Sequence, residues 1–120
     1  MINFEVDDIH NMNANLAKFI DYLNKGGLDG DCVFFSRLIA CELITNALRY
    51  TGGAAQFSGE IDGDEVIITV RSQGVDTHLK IPNLPEVLAE SGRGLYIINA
   101  ISGGNVTFSN GDVTVKMKWR

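Results

Sequence analysis

With only two cysteines in 120 residues, the chain has no disulfide framework to read. Cys32 and Cys41 are nine positions apart in what reads as one helix. The helical rise then separates them by about 13.5 Å, far beyond disulfide reach. Both are expected as small core residues in a reducing compartment. Prolines also number two, and no low-complexity segment or internal repeat is visible. Cations are scarce: ten Lys and Arg stand against 15 Asp and Glu, a formal charge of −5. Phosphate neutralisation and polybasic membrane attachment both need clustered cations, so no nucleic acid and no membrane surface is expected as a partner. Aromatics are 8% of the chain, too few beside so few cations for a base-stacking platform. No stretch of 18 apolar residues occurs, and MINFEVDDIH lacks a charged start followed by an apolar run. Neither a membrane span nor a signal peptide is expected, and the expected location is cytoplasmic. Several chemistries lack their residues. There is no G-x-x-x-x-G-K-[ST] loop, and Ser58-Gly59 lacks the preceding glycine of a nucleophile elbow. His10 and His78, far apart, make no zinc site with the two cysteines.

What remains is ordinary globular composition, 45% hydrophobic and 21% charged. A chain of this length forms one domain, residues 1–120, and can bury about two-thirds of its unfolded surface. Residues 2–6 alternate like a strand. Asp7 and Asp8 supply capping chemistry, and Ile9, Met12, Leu16, Phe19, Ile20 and Leu23 recur at helical spacing until Gly26-Gly27. A second helix is predicted over 32–50, opened by Asp29-Gly30-Asp31 and stopped by Thr51-Gly52-Gly53. Strands are predicted over 54–61 and 65–71, joined at Asp62-Gly63-Asp64. A polar connection over 72–92 holds Pro82 and Pro85, with one helical turn near 85–90. A third helix over 95–101 and two last strands, 105–109 and 113–119, complete the order. The fold class is α+β: a two-layer sandwich with a mixed, largely antiparallel sheet and helices on one face. Thr114, Lys116 and Lys118 alternate with Val113, Val115, Met117 and Trp119, which suits a sheet whose other face is open.

The second helix is apolar nearly all round, yet Glu42, Asn46 and Arg49 fall on one arc of its wheel, with Phe35 and Leu38 beside them. Such groups on a greasy face need partners. Two arrangements satisfy them: a Glu42–Arg49 pair on a wet edge with Asn46 bonded to a loop, or the floor of a pocket. Ser91-Gly92-Arg93-Gly94-Leu95 places flexible backbone at a helix N-terminus, where free N–H groups favour anions such as phosphate. Gln73-Gly74 ends the most β-branched strand and reads by itself as an ordinary turn.

Taken together, Glu42-Leu43-Ile44-Thr45-Asn46-Ala47-Leu48-Arg49-Tyr50-Thr51 and Gly92-Arg93-Gly94-Leu95-Tyr96-Ile97-Ile98 resemble two motifs of the GHKL ATPase superfamily, the Bergerat-fold nucleotide binders. They resemble its N-box and second glycine box, in the same element order, over nearly the whole chain. The short chain is most similar to the bacterial anti-sigma-factor serine/threonine kinases. The resemblance implies a Bergerat fold, ATP and Mg²⁺ as cofactors, and a sigma factor or an anti-anti-sigma protein as partner. It leaves a homodimer open. It further implies that Asn46 holds Mg²⁺ against the phosphates and that Glu42 is the general base. Gly92 to Leu95 would cradle phosphate, Arg93 would add charge, and 75–91 would be the lid. The basic and aromatic residues after Asn46 also resemble the N-box of histidine kinases, which puts Arg49 on phosphate and Tyr50 beside the nucleotide. Only 41 residues precede Glu42, too few for a phosphoacceptor hairpin as well.

The chain departs from the family at the first glycine box. Ser72 stands where an aspartate normally accepts the adenine amino proton, Gly74 is kept, and Asp76 stands where a second glycine should be. Near the last strand, Asp112 replaces the usual threonine. A serine hydroxyl can still accept, but exchanging a charge-assisted bond for a neutral one costs on the order of 1.5–3 kcal/mol. Three readings follow: an ATP-dependent anti-sigma-type kinase, a nucleotide-free binding module on the same fold, and a detached histidine-kinase-like catalytic domain.

Overall fold

The computed structural model describes residues 1–51, 54–72, 103, 105–109 and 112–119. They form an α+β arrangement of two helices on a five-stranded sheet. Strand β1 is Ile2–Val6, followed by helix α1, Ile9–Lys25, and helix α2, Gly30–Thr51. Strands β2, Ala55–Asp62, and β3, Glu65–Ser72, come next. Strands β4, Val106–Ser109, and β5, Asp112–Lys118, close the described chain. The predicted helix over 95–101 lies outside the described residues, as do Asn110 and Gly111 between the last two strands.

The helix ends follow local chemistry. Asp8 Oδ1 accepts the Asn11 backbone N–H at 2.8 Å and caps α1. Gly26 closes that helix, and Gly27, at φ 88°, turns the chain away in a conformation side chains disfavour. Asp29 Oδ1 accepts the Cys32 N–H at 2.8 Å and caps α2 in the same way.

The sheet order is β1-β2-β3-β5-β4, and every described pairing is antiparallel, where the sequence patterning allowed a mixed sheet. Gly63, at φ 61°, starts the two-residue turn between the paired residues Asp62 and Glu65. Trp119 locks the end of β5 onto this turn. Its N–H donates to the Asp64 carbonyl at 2.9 Å and its indole N–H to the Gly63 carbonyl at 3.1 Å.

Strand periodicity sorts the two faces. Val6, Ala55, Phe57, Val66, Ile68, Val70, Val115 and Met117 are buried on one side, against Met12, Leu16, Phe19 and Leu23 of α1 and Ile39, Leu43 and Ile44 of α2. Helix α1 packs chiefly over β1 and α2 over β3. Phe57 is stacked on Phe4 at 4.5 Å and meets the edge of Phe19 at 4.9 Å. The opposite face carries Glu5, Gln56, Thr69, Arg71, Thr114 and Lys116. Its groups bond across register pairs: Gln56 to Glu5 at 3.0 Å, Thr69 with Thr114 at 3.2 Å, and Arg71 to both carboxylate oxygens of Asp112 at 2.8 and 3.1 Å. Among the described residues no helix is long and apolar enough to cross a membrane.

Candidate functional site

Helix α2 buries Ser36, Ile39, Ala40, Leu43, Ile44 and Ala47. That stripe has the three-and-four spacing of a single face, although the helix is apolar almost all round. The leftover apolar residues are not covered alike: Phe34 is 61% exposed and rests edge-on against Phe35.

The polar arc flanks the buried stripe, and its members differ in depth. Asn46 is buried at 8% exposure, Glu42 is half-buried and Arg49 is exposed. Asn46 lies on the side of the arc nearer the stripe, which draws its amide inward, while Arg49 keeps its charge in water. Glu42 and Arg49 form no ion pair among the described residues. Thr45, on the outer flank, reaches Met12 Sδ on α1 at 3.9 Å through its hydroxyl.

Ser72 is brought to the same end of the molecule. Helix α2 ends at Thr51, β2 begins at Ala55, and Ala55 is the register partner of Ser72. The last turn of α2 and the last residue of β3 are therefore held close by a short connection and one ladder pair. Ser72 shares strand parity with the buried Ile68 and Val70, so it belongs to the helix side of the sheet, and it is half-buried. Asn46 lies five residues before the end of α2, a rise of about 7.5 Å. Asn46 thus lies toward the end of α2 near which Ser72 closes β3, whereas Glu42, nine residues before that end, stands near the middle of the helix. Asp112, also singled out in the sequence, sits on the opposite face, held by Arg71 at 2.8 Å.

The remaining candidates, Gly74, Asp76, Gly92, Arg93, Gly94 and Leu95, lie outside the described residues, and so does the side chain of Tyr50. Sequence patterning passed over Ser36, a fully buried hydroxyl in the core stripe with no hydrogen-bond partner among the described residues. A serine spaced like its apolar neighbours carries no local signal of burial.

Asn46 offers one hard oxygen donor of the kind Mg²⁺ takes, an ion that keeps several waters and few protein ligands. No group of three or more His, Cys, Asp or Glu able to hold a metal by itself occurs among the described residues. At the other end of α2, burial raises the Cys32 thiol above its ordinary pKa, with the Asp29 carboxylate adding to the effect. That makes Cys32 a poor nucleophile. No protein-family model matches the chain, and no curated protein matches it.

Proposed function

We propose that the chain is a Bergerat-fold, ATP-binding regulatory protein of the anti-sigma type, one that phosphorylates a partner protein on Ser or Thr, holds a sigma factor, or does both. The observation that carries this reading is the graded polar arc of α2. A buried amide and a half-buried carboxylate lie one turn apart on it, and the half-buried Ser72 on the helix side of the sheet closes β3 near the end of that helix. The resemblance of 42–51 and 92–98 to nucleotide-binding motifs supplies the identity of the ligand.

On this reading each residue has a separate task. Asn46 contributes its carbonyl oxygen to Mg²⁺ on the phosphates. Glu42 accepts the proton of the attacking hydroxyl as that oxygen bonds to the γ-phosphorus and ADP departs. Ser72 accepts from the adenine amino group in place of a carboxylate. Arg49 and Arg93 add positive charge near phosphate, and the backbone of Gly92 to Leu95 cradles it. The protein works in the cytoplasm with a sigma factor or an anti-anti-sigma protein.

Calorimetric titration with ATP and Mg²⁺ tests the proposal. Saturable binding that weakens in Asn46→Ala supports it. Ser72 favours a second reading, in which the adenine site has decayed and the fold acts as a nucleotide-free protein-binding module. Absence of heat or competition at millimolar ATP, with the protein folded, selects that second reading.

A further inference from the structure

Ser72 ends the helix side of β3 in apolar company. Its register partner is Ala55, and the partner of Ala55 on β1 is Val6. Both are fully buried and carry no polar side-chain atom. Two positions back along the same face of β3 lies Val70, also buried. The neighbouring Arg71 belongs to the opposite face, where both carboxylate oxygens of Asp112 hold it at 2.8 and 3.1 Å. Among the described residues the Ser72 hydroxyl takes part in no hydrogen bond. No described group therefore fixes which way its proton turns. A hydroxyl in that state serves equally as donor and as acceptor.

We infer that the nucleotide pocket takes 6-oxopurine nucleoside triphosphates as well as ATP, with Ser72 as the residue that removes the distinction, an inference that rests on reading residue 72 as the group facing C6 of the base. Adenine presents an amino donor at C6, whereas guanine and hypoxanthine present a carbonyl acceptor there. A carboxylate only accepts. It bonds the amino group, and it sets two acceptors against each other when a carbonyl takes that place. Both effects select adenine. A serine hydroxyl accepts from the amino group in one orientation and donates to the carbonyl in another. Each base then makes one neutral hydrogen bond to residue 72, and neither leaves a polar group unpaired. Hydrogen-bonding sites discriminate strongly where the wrong ligand strands such a group, and this one strands none. Val6 and Ala55 bring no second polar side chain that would restore the choice. Arg71, a donor that would favour the carbonyl, is occupied on the far face. The exchange of carboxylate for hydroxyl therefore costs affinity and widens the range of bases together. Phosphates and ribose are common to both nucleotides, so contacts with them do not enter the comparison.

Competition of ATP and of ITP against a fluorescently labelled ATP, on the full chain, tests the inference. ITP differs from ATP only in the C6 group and the N1 proton that accompanies it. The unmodified protein should bind the two with dissociation constants within about tenfold of each other. Ser72→Asp should tighten ATP and weaken ITP, opening a gap of at least about 100-fold. Circular dichroism checks that the variant folds. If it does not, Ser72→Ala takes its place, and loss of the hydroxyl should weaken both nucleotides by about the same factor. A preference for ATP of more than about tenfold in the unmodified protein overturns the inference and leaves the nucleotide-binding reading standing. So does a Ser72→Asp variant whose preference has not moved, or a Ser72→Ala variant that loses affinity for one nucleotide alone. If neither nucleotide binds the folded protein, the inference and that reading fall together.

Discussion

Gly59 lies directly beneath the ring of Phe19. A Cβ placed on Gly59 would stand 2.5 Å from Phe19 Cε1 and 3.1 Å from Phe57 Cε1. Both rings are buried, so neither can swing aside. The glycine is needed for space, to let α1 settle on β2, and not for an unusual backbone angle. Gly59→Ala should lower unfolding stability by about 1–3 kcal/mol in urea titrations, the usual cost of overpacking a closed core. Combining it with Phe19→Leu should recover part of that loss, so the double variant is more stable than the two single losses add up to. Strict additivity would show that the ring is not what excludes the methyl group.

The cap of α2 makes stability depend on acid. The Cys32 backbone N–H donated to Asp29 holds that carboxyl below its ordinary value. A folded pKa below the unfolded one means that the unfolded state binds more protons as acid is added. The stabilisation is therefore complete above the ordinary carboxylate range and is lost as the pH falls through the folded value. Asp29→Ala should lower Tm at neutral pH, and the gap to the unmodified protein should close in acid. Asp29→Asn keeps an acceptor and should flatten the dependence. Thermal scans across that range check both.

Ser72→Asp should tighten ATP binding by roughly 10- to 100-fold, since a charged acceptor replaces a neutral one. The half-buried position of Ser72 on the helix side of the sheet leaves the new carboxylate in reduced contact with water, where its bond counts most. Competition with a labelled nucleotide measures the change. A weak but measurable affinity that does not move would show that adenine is not read at residue 72.

Glu42 and Asn46 should separate chemistry from binding. Glu42→Ala should reduce phosphate transfer by about 10²–10⁴-fold with little change in nucleotide affinity, because a general base acts on the attacking hydroxyl in the transition state. Asn46→Ala should weaken both, since the lost oxygen serves the bound complex as well as the reaction. Alanine is the best helix former, so α2 should persist in each variant. Transfer by Glu42→Ala at the unmodified rate removes it from the mechanism.

Most element positions were legible before folding. Residues 2–6 were expected as a strand and form one, and the predicted bounds of the other described elements lie within two residues of those observed. Strand alternation, helical spacing and the Gly26-Gly27 and Gly63 breaks are local signals, and they act on the chain whatever packs around it. The polar arc on α2 was legible for the same reason, because helical spacing alone sets which side chains share a side. Depth around the helix was not. Phe34 and Ile39 look equally buriable in the sequence, yet one is 61% exposed and the other fully buried.

By itself the sequence determined the lengths of the helices and strands, their stops, and which residues of each strand face the same way. Tertiary structure decided that β5 sits inside the sheet beside β3 and that β4 takes the edge. It decided that Asn46 is drawn in while Arg49 stays in water. It also brought Ser72 to the end of α2 through its pairing with Ala55. The physical reason is range. A turn or a cap is settled among residues three or four apart, as between Asp29 and Cys32. A ladder pair such as Arg71 with Asp112 joins residues 41 positions apart, and nothing local in either segment names its partner.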